Sequence, residues 1–221
     1  MSFILSFDSS NQESSVALFK DGQLLCEESS SQNFQHAEFL LPAIEKVLKA
    51  ENIWYNDLNL VATCKGPGSF SGVRVALSVA KSIKIASNIP VIAFDSSHIL
   101  AFQYSKSLDF TDIAILLRAA TNGFYFASYK KNRDSIIPNT DPKIITKEQL
   151  SSIKITSQSL ICGSPIDQKF ASELSRAIGC DIRFDFAINA KAIAELAHNK
   201  MTSGDLESFQ EVTPIYFRPP V

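Results

Sequence analysis

The chain has 221 residues, 45% of them hydrophobic and 20% charged, with only 8 glycines and 9 prolines, a composition that excludes disordered, collagen-like and low-complexity classes. Its 21 basic and 23 acidic side chains leave a net charge of −2, so no global positive field exists to hold nucleic acid or an acidic membrane surface, and any nucleic-acid role has to come through a partner. The length is about one and a half times the ~150-residue guide for one domain, which admits either one large domain or two lobes.

Phe3 to Phe7 is a short run of strand formers with no basic stretch ahead of it, so it predicts a strand and not a signal segment. Ser15 to Lys20 and Gln23 to Glu28, joined by Asp21-Gly22, predict a hairpin with a tight turn. From Phe34 to Lys49 the apolar residues Ala37, Leu40, Leu41, Ile44, Val47 and Leu48 fall at helical spacing, with Pro42 expected to bend that helix or shift its start. Leu58 to Cys64 reads as a buried strand, Ser69 to Ala86 as a second helix, Pro90 to Phe94 as a strand, and Ser97 to Tyr104 as a short helix.

After the polar stretch from Ser105 to Asp112 the order begins again. Strands are expected at Ile113 to Leu117, at Gly123 to Lys130 and within Ser135 to Ile145, then a short helix at Lys147 to Ser152. A strand at Leu160 to Cys162, a helix at Asp167 to Ile178, a strand at Ile182 to Phe184 and a helix at Asn189 to Met201 complete the chain. Cys26, Cys64, Cys162 and Cys180 form no C-x-x-C pair, which predicts a reduced, cytoplasmic setting. No run of ~18 apolar residues predicts a membrane span.

A duplicated β-β-β-α-β-α-β-α order is the topology of the two-lobed actin-like, sugar kinase and Hsp70 ATPase (ribonuclease H-like) superfamily. By that analogy the chain is an α/β protein with lobes at residues 1–108 and 109–221, the second of them degenerate, and proteins of this fold place a nucleotide between their lobes.

Gly66-Pro67-Gly68-Ser69-Phe70-Ser71-Gly72-Val73-Arg74 sits between a predicted strand and a predicted helix, where backbone N–H groups and a helix N-terminus can face an anion. It is neither a Walker A loop nor G-x-G-x-x-G, since Ser71 stands where the third glycine belongs. The plainer alternative is a tight turn whose Ser69 or Ser71 caps the helix. On that helix Phe70, Val73, Val75, Ala76, Leu77, Val79, Ala80 and Ile83 cover an arc of roughly 220°, where one sheet needs only ~100°. The surplus serves either packing inside its own lobe or contact with another chain.

Four stretches carry a resemblance to the TsaB (YeaZ) family of bacterial tRNA threonylcarbamoylation proteins, paralogues of TsaD. Ile4-Leu5-Ser6-Phe7-Asp8-Ser9-Ser10 is similar to the family's I-L-A-I-D-T-S. His36 with Leu41-Pro42 follows, then the nine-residue glycine motif against G-P-G-S-F-T-G-L/V-R, then Pro214-Ile215-Tyr216-Phe217-Arg218 against P-x-Y-L-R. The chain departs from the family at Arg118-Ala119-Ala120-Thr121-Asn122-Gly123, where D-A-R is usual. The resemblance implies a heterodimer with TsaD, with TsaE in a larger complex, for threonylcarbamoyl transfer to the adenosine beside the anticodon. It implies a homodimer when the chain is alone, tRNA contact only through the complex, and no membrane partner.

Catalysis in this superfamily needs carboxylates from both lobes to place Mg2+. Asp8 is the first-lobe candidate, while Leu117 to Asn122 offer no acid. His36, His98 and His198 are too far apart in sequence for a metal-binding H-x-x-x-H helix. No H-E-x-x-H and no nucleophile elbow mark a peptidase. The expectation is therefore a scaffold without catalytic residues, metal or intrinsic cofactor, with a nucleotide admitted at the partner junction. Leu40, Leu41, Ile44, Val73, Arg74, Leu77 and Ala80 are expected to bind the partner, and Asp8, Ser9, Ser10, Gly66, Gly68 and Ser69 to be a vestigial phosphate turn. The rival readings are a stand-alone sugar-kinase-like or acyl-phosphate-forming ATPase, and a free-standing homodimer of unrelated binding function.

Overall fold

A computed structural model describes residues 1–30, 36–107, 110–119, 123–132, 135–146, 148–152, 159–163, 172, 174–176, 178–179, 182–184, 186–204 and 212–215. The first half runs β1 (Phe3–Asp8), β2 (Ser15–Lys20), β3 (Gln23–Ser29), α1 (His36–Ala50), β4 (Leu60–Cys64), α2 (Phe70–Ser87), β5 (Val91–Phe94) and α3 (Ser96–Ser107). The second runs β6 (Asp112–Arg118), β7 (Gly123–Asn132), β8 (Ser135–Thr146), a 3-10 turn (Glu148–Ser152), β9 (Ser159–Gly163), β10 (Ile182–Arg183) and α4 (Ala190–Thr202).

The two sheets share one plan. In the first the order is β3-β2-β1-β4-β5 and in the second, read from the other edge, β8-β7-β6-β9-β10. In each, the first three strands pair antiparallel and the remaining strands join parallel to the first one. This is the duplicated order expected from the sequence. The Asp21-Gly22 turn has φ of 49° and 81°, the left-handed pair that a two-residue hairpin of matching twist requires. The expected helix at 147–152 is a 3-10 turn, short enough that one turn of tighter hydrogen bonds suffices. The expected helix at 167–178 lies mostly outside the described residues.

Packing groups residues 1–96 with 188–221 and leaves 97–187 as a second unit. The expected boundary at 108 followed chain order; the contacts instead place α4 on β1, β2 and β4 and assign nearly all of α3 to the second unit. β1 is central to its sheet, so both of its faces are covered and it reads as an apolar run broken only at Ser6 before Asp8 ends it. Leu5 and Phe7 join a core with α1 and α2, and Ser6, on the other face, donates to Ala190 O at 2.7 Å at the start of α4. Pro42 interrupts no element: α1 continues through it, and the hydrogen bond it forfeits, to Glu38 O, lies where both residues are exposed. The second unit has its own core of Ala114, Leu116, Phe124, Phe126, Ile145, Leu150 and Leu174. No helix among the described residues is long and apolar enough to cross a membrane.

Candidate functional site

The turn after β1 is a buried polar cluster joined by several hydrogen bonds. Asp8, Ser9 and Ser10 are all buried. Asp8 ends β1 as a wholly buried carboxylate that accepts from Ser10 N–H at 3.0 Å and Asn11 Nδ2 at 3.2 Å. Burial outweighs these bonds and raises its pKa from 3.8 to about 6. Ser9 Oγ donates to Gly72 O at 2.7 Å, and Ser10 O accepts from Ser69 N–H at 2.7 Å. The turn is therefore fastened directly to the first turn of α2.

That fastening explains two glycines of the motif. A Cβ at Gly68 would sit 2.5 Å from Ser10 O, and one at Gly72 only 1.7 Å from Ser9 O. Ser69 caps α2, its Oγ accepting from Gly72 N–H at 3.3 Å. Gly66 O accepts from Ser96 N–H at 2.9 Å, and Ser96 Oγ donates to Pro67 O at 2.7 Å. Ser69 rather than Ser71 is thus the cap, and close backbone approach accounts for the small residues.

Several members of this cluster carry no motif of their own in the sequence. Cys64 Sγ lies 3.1 Å from Ser96 Oγ, and burial, with the neighbouring Asp8 charge adding to it, pushes the thiol up to about 12. Ser14 Oγ and His36 Nδ1 are 2.7 Å apart, tying the start of α1 to β2, and burial lowers the His36 pKa. Periodicity cannot reveal such bonds, because each joins a serine to a cysteine or histidine far away in the chain. Ile215 N–H donates to Lys65 O at 2.9 Å beside the glycine motif, while residues 216–218 of the terminal motif lie outside the described residues.

The expected partner-binding set divides. Leu40, Ile44, Val73, Leu77 and Ala80 are buried in the first unit's own core, Leu77 with only 3% exposure, so the surplus arc on the wheel is largely internal packing. This corrects their assignment to an open docking face: α1 and α2 pack on each other as well as on the sheet, and the buried stripe of each helix serves both contacts. Leu41 is 51% exposed and Arg74 is exposed, with its guanidinium 5.1 Å from the centre of the Phe70 ring. Phe70 and Ile85 are 55% and 85% exposed, and Trp54, which follows α1, is exposed too. Phe70 was visible on the wheel but assigned to the arc as a whole; Ile85 and Trp54 were missed.

At the matching end of β6 stands Arg118, exposed, followed by Ala119, whose N–H donates to Gly123 O at 3.0 Å. Residues 120–122 lie outside the described residues. His98 stacks on Tyr129 at 5.5 Å within the second unit, and His198 lies against Gly22 in the first. Among the described residues no three His, Cys, Asp or Glu side chains gather as a metal cluster.

Residues 23–206 match the family model described as TsaD, tRNA N6-adenosine threonylcarbamoyltransferase. The tRNA threonylcarbamoyladenosine biosynthesis protein TsaB of Buchnera aphidicola subsp. Baizongia pistaciae (strain Bp) is 29% identical over 217 residues, 96% of each chain. The protein of that name in Buchnera aphidicola subsp. Acyrthosiphon pisum (strain APS) is 27% identical over 86% of each. YeaZ from Pseudomonas aeruginosa has a similar fold, with a TM-score of 0.80 over 98% of this chain and 100% of that one at 23% identity.

Proposed function

The chain belongs to the TsaD family of tRNA N6-adenosine threonylcarbamoyltransferases and their TsaB (YeaZ) relatives, and from that premise we propose that it serves tRNA threonylcarbamoyladenosine biosynthesis as a non-catalytic, activating scaffold subunit. Its partner in this reading is TsaD, with TsaE joining a larger complex in the cytoplasm, and it meets tRNA only through that complex. Alone, it pairs with a second copy of itself.

One observation carries the non-catalytic part. The two first strands end at equivalent places, and where the first has Asp8 the second has Arg118. Asp8 itself already accepts two hydrogen bonds in a turn closed by the backbone of α2. A Mg2+-dependent phosphoryl transfer needs carboxylate oxygens free to bind the ion. Asp8, Ser9, Ser10, Gly66, Gly68 and Ser69 are in this reading the remnant of a phosphate turn, kept because it fixes α2 in place, and any nucleotide belongs to the junction with the partner. Arg118 speaks equally against a stand-alone kinase-like ATPase.

The docking surface is the exposed side of α1 and α2, with Leu41, Phe70, Arg74 and Ile85 as its outward residues. A stable pair should bury more than ~1,000 Å2 with apolar anchors at its centre. Mixing the purified chain with TsaD from the same genome tests this by sizing chromatography. A joint Phe70→Asp and Ile85→Asp change should abolish the complex and leave the circular dichroism melt intact. Hydrolysis of ATP by the lone chain on the order of 1 s-1, lost in Asp8→Ala, would overturn the scaffold reading.

A further inference from the structure

The outward face of α2 carries a one-sided charge. Phe70, Arg74, Lys81 and Ile85 fall within roughly 60° of arc along about 22 Å of helix, and all four are exposed. The helix holds Arg74, Lys81 and Lys84 and no carboxylate at all, in a chain whose net charge is −2. Among the described residues no carboxylate pairs with any of the three.

The neighbouring helix does not compensate them. α1 has two glutamates and two lysines, which sum to zero. Its cations are already engaged, Lys46 with Glu28 at 2.7 Å and Lys49 with Glu45 at 3.1 Å. The two helices together therefore sum to three positive charges, those of Arg74, Lys81 and Lys84, with Glu38 of α1 the one helix carboxylate left over because Lys46 pairs with Glu28 of β3.

Resting on the docking reading above, we infer that this face is built for a partner surface with an apolar centre flanked by carboxylates, and that it selects such a partner over a second copy of this chain. Two copies joined through α2 would bring six like charges together inside one contact. Like charges juxtaposed across an interface oppose association, and opposite ones speed and orient it. Phe70 and Ile85 supply the apolar anchors in either case, so charge and not apolar area decides between the two partners. Arg74 is well placed for the task, since its planar guanidinium can hold a carboxylate with two hydrogen bonds while resting on the Phe70 ring.

The test titrates TsaD from the same genome into the purified chain at about 50 and about 300 mM NaCl, which span a large change in screening length. Affinity for TsaD should weaken at least fivefold at the higher salt, whereas self-association of the lone chain, followed by sedimentation, should strengthen. A triple Arg74→Gln, Lys81→Gln, Lys84→Gln variant should lose tenfold or more in TsaD affinity and gain self-association at low salt, while Arg74→Lys in the wild-type background, which keeps the charge but not the paired hydrogen bonds, should weaken TsaD binding less than Arg74→Gln does. TsaD affinity that ignores both salt and the triple change overturns the inference. If the Phe70→Asp, Ile85→Asp pair still abolishes binding in that case, docking stands and only the charge selection fails. If that pair also changes nothing, the docking reading itself has failed. Should the triple variant not fold, the salt dependence of the wild-type chain decides alone.

Discussion

The first strand of each sheet ends at the same topological place, Asp8 in one and Arg118 in the other, and both feed an antiparallel partner strand. Around Asp8 the backbone of α2 comes so close that Gly68 and Gly72 leave no room for a methyl group, and serine hydroxyls and amides lock the turn. The hairpin that follows Arg118 is closed by its own backbone, through Ala119 N–H and Gly123 O. A common strand order has not produced a common site. Apolar periodicity is enough to specify which strands pair, while a site depends on a few atoms approaching within hydrogen-bond distance. One lobe has kept that approach, and its acid is buried within it.

The largest effect should come from filling that closest approach. Gly72→Ala places a Cβ 1.7 Å from Ser9 O, with backbone on both sides, so either α2 or the turn must move. Overpacking of this kind should cost more than ~3 kcal/mol or prevent folding. Gly179 in the second unit, with φ of +80° and nothing within 4 Å, should lose only ~1 kcal/mol on change to alanine, from left-handed strain alone. Urea unfolding of both variants measures the contrast, and equal losses would break it.

Asp8 should give the next largest effect, as a dependence on pH. Its folded pKa of about 6 lies above the unfolded 3.8, so the folded state favours the protonated acid. The stabilisation is complete below pH 3.8 and is lost as pH rises through 6, amounting to ~3 kcal/mol by pH 7. Asp8→Asn should therefore gain on the wild type between pH 4.5 and 7, and a constant difference across that range would contradict the burial of the charge. His36 works in the opposite sense. Its folded pKa is lowered from 6.5, so its stabilising contribution is present above 6.5 and is lost as pH falls. Removing the α2 cap with Ser69→Ala should cost about 1 kcal/mol at any of these pH values, read from the same unfolding curves.

The order of elements along the chain was legible from apolar runs and turn residues, because β1 and β4 are buried on both faces and the Asp21-Gly22 turn has a strong chemical signature, whereas the arrangement of the strands in two sheets was reached by analogy with a duplicated fold. The docking face proposed above was legible only in part. Leu77 and Phe70 are two turns apart on adjoining parts of one continuous apolar arc, and a wheel has no means of telling that Leu77 is in the core while Phe70 is outside it. That division depends on α1 packing against α2, a contact between segments some thirty residues apart. The bond between Ser14 and His36 was hidden for the same reason. The Asp8 turn was recognised from its motif, yet why it needs glycines opposite it is apparent only from the distance to Ser9 and Ser10.

The smallest effect on stability, and the sharpest question about the comparison, belongs to Arg118→Asp. The residue is exposed at the end of β6, where a surface charge together with its contacts contributes little, so the change should alter stability by less than about 1 kcal/mol. The change restores an acid at the position equivalent to Asp8. ATP hydrolysis should nonetheless stay at the buffer level, because the Asp8 carboxylate is wholly buried in a turn fastened to α2, where a hydrated cation has no access without displacing that packing. Burial adds to the difficulty, since it holds the Asp8 carboxyl partly protonated up to about pH 6. A phosphate-release assay across pH 6 to 8 checks this. Turnover that appeared in Arg118→Asp and vanished again with Asp8→Ala would mean that the two turns differ by one side chain and not by the way the first is packed.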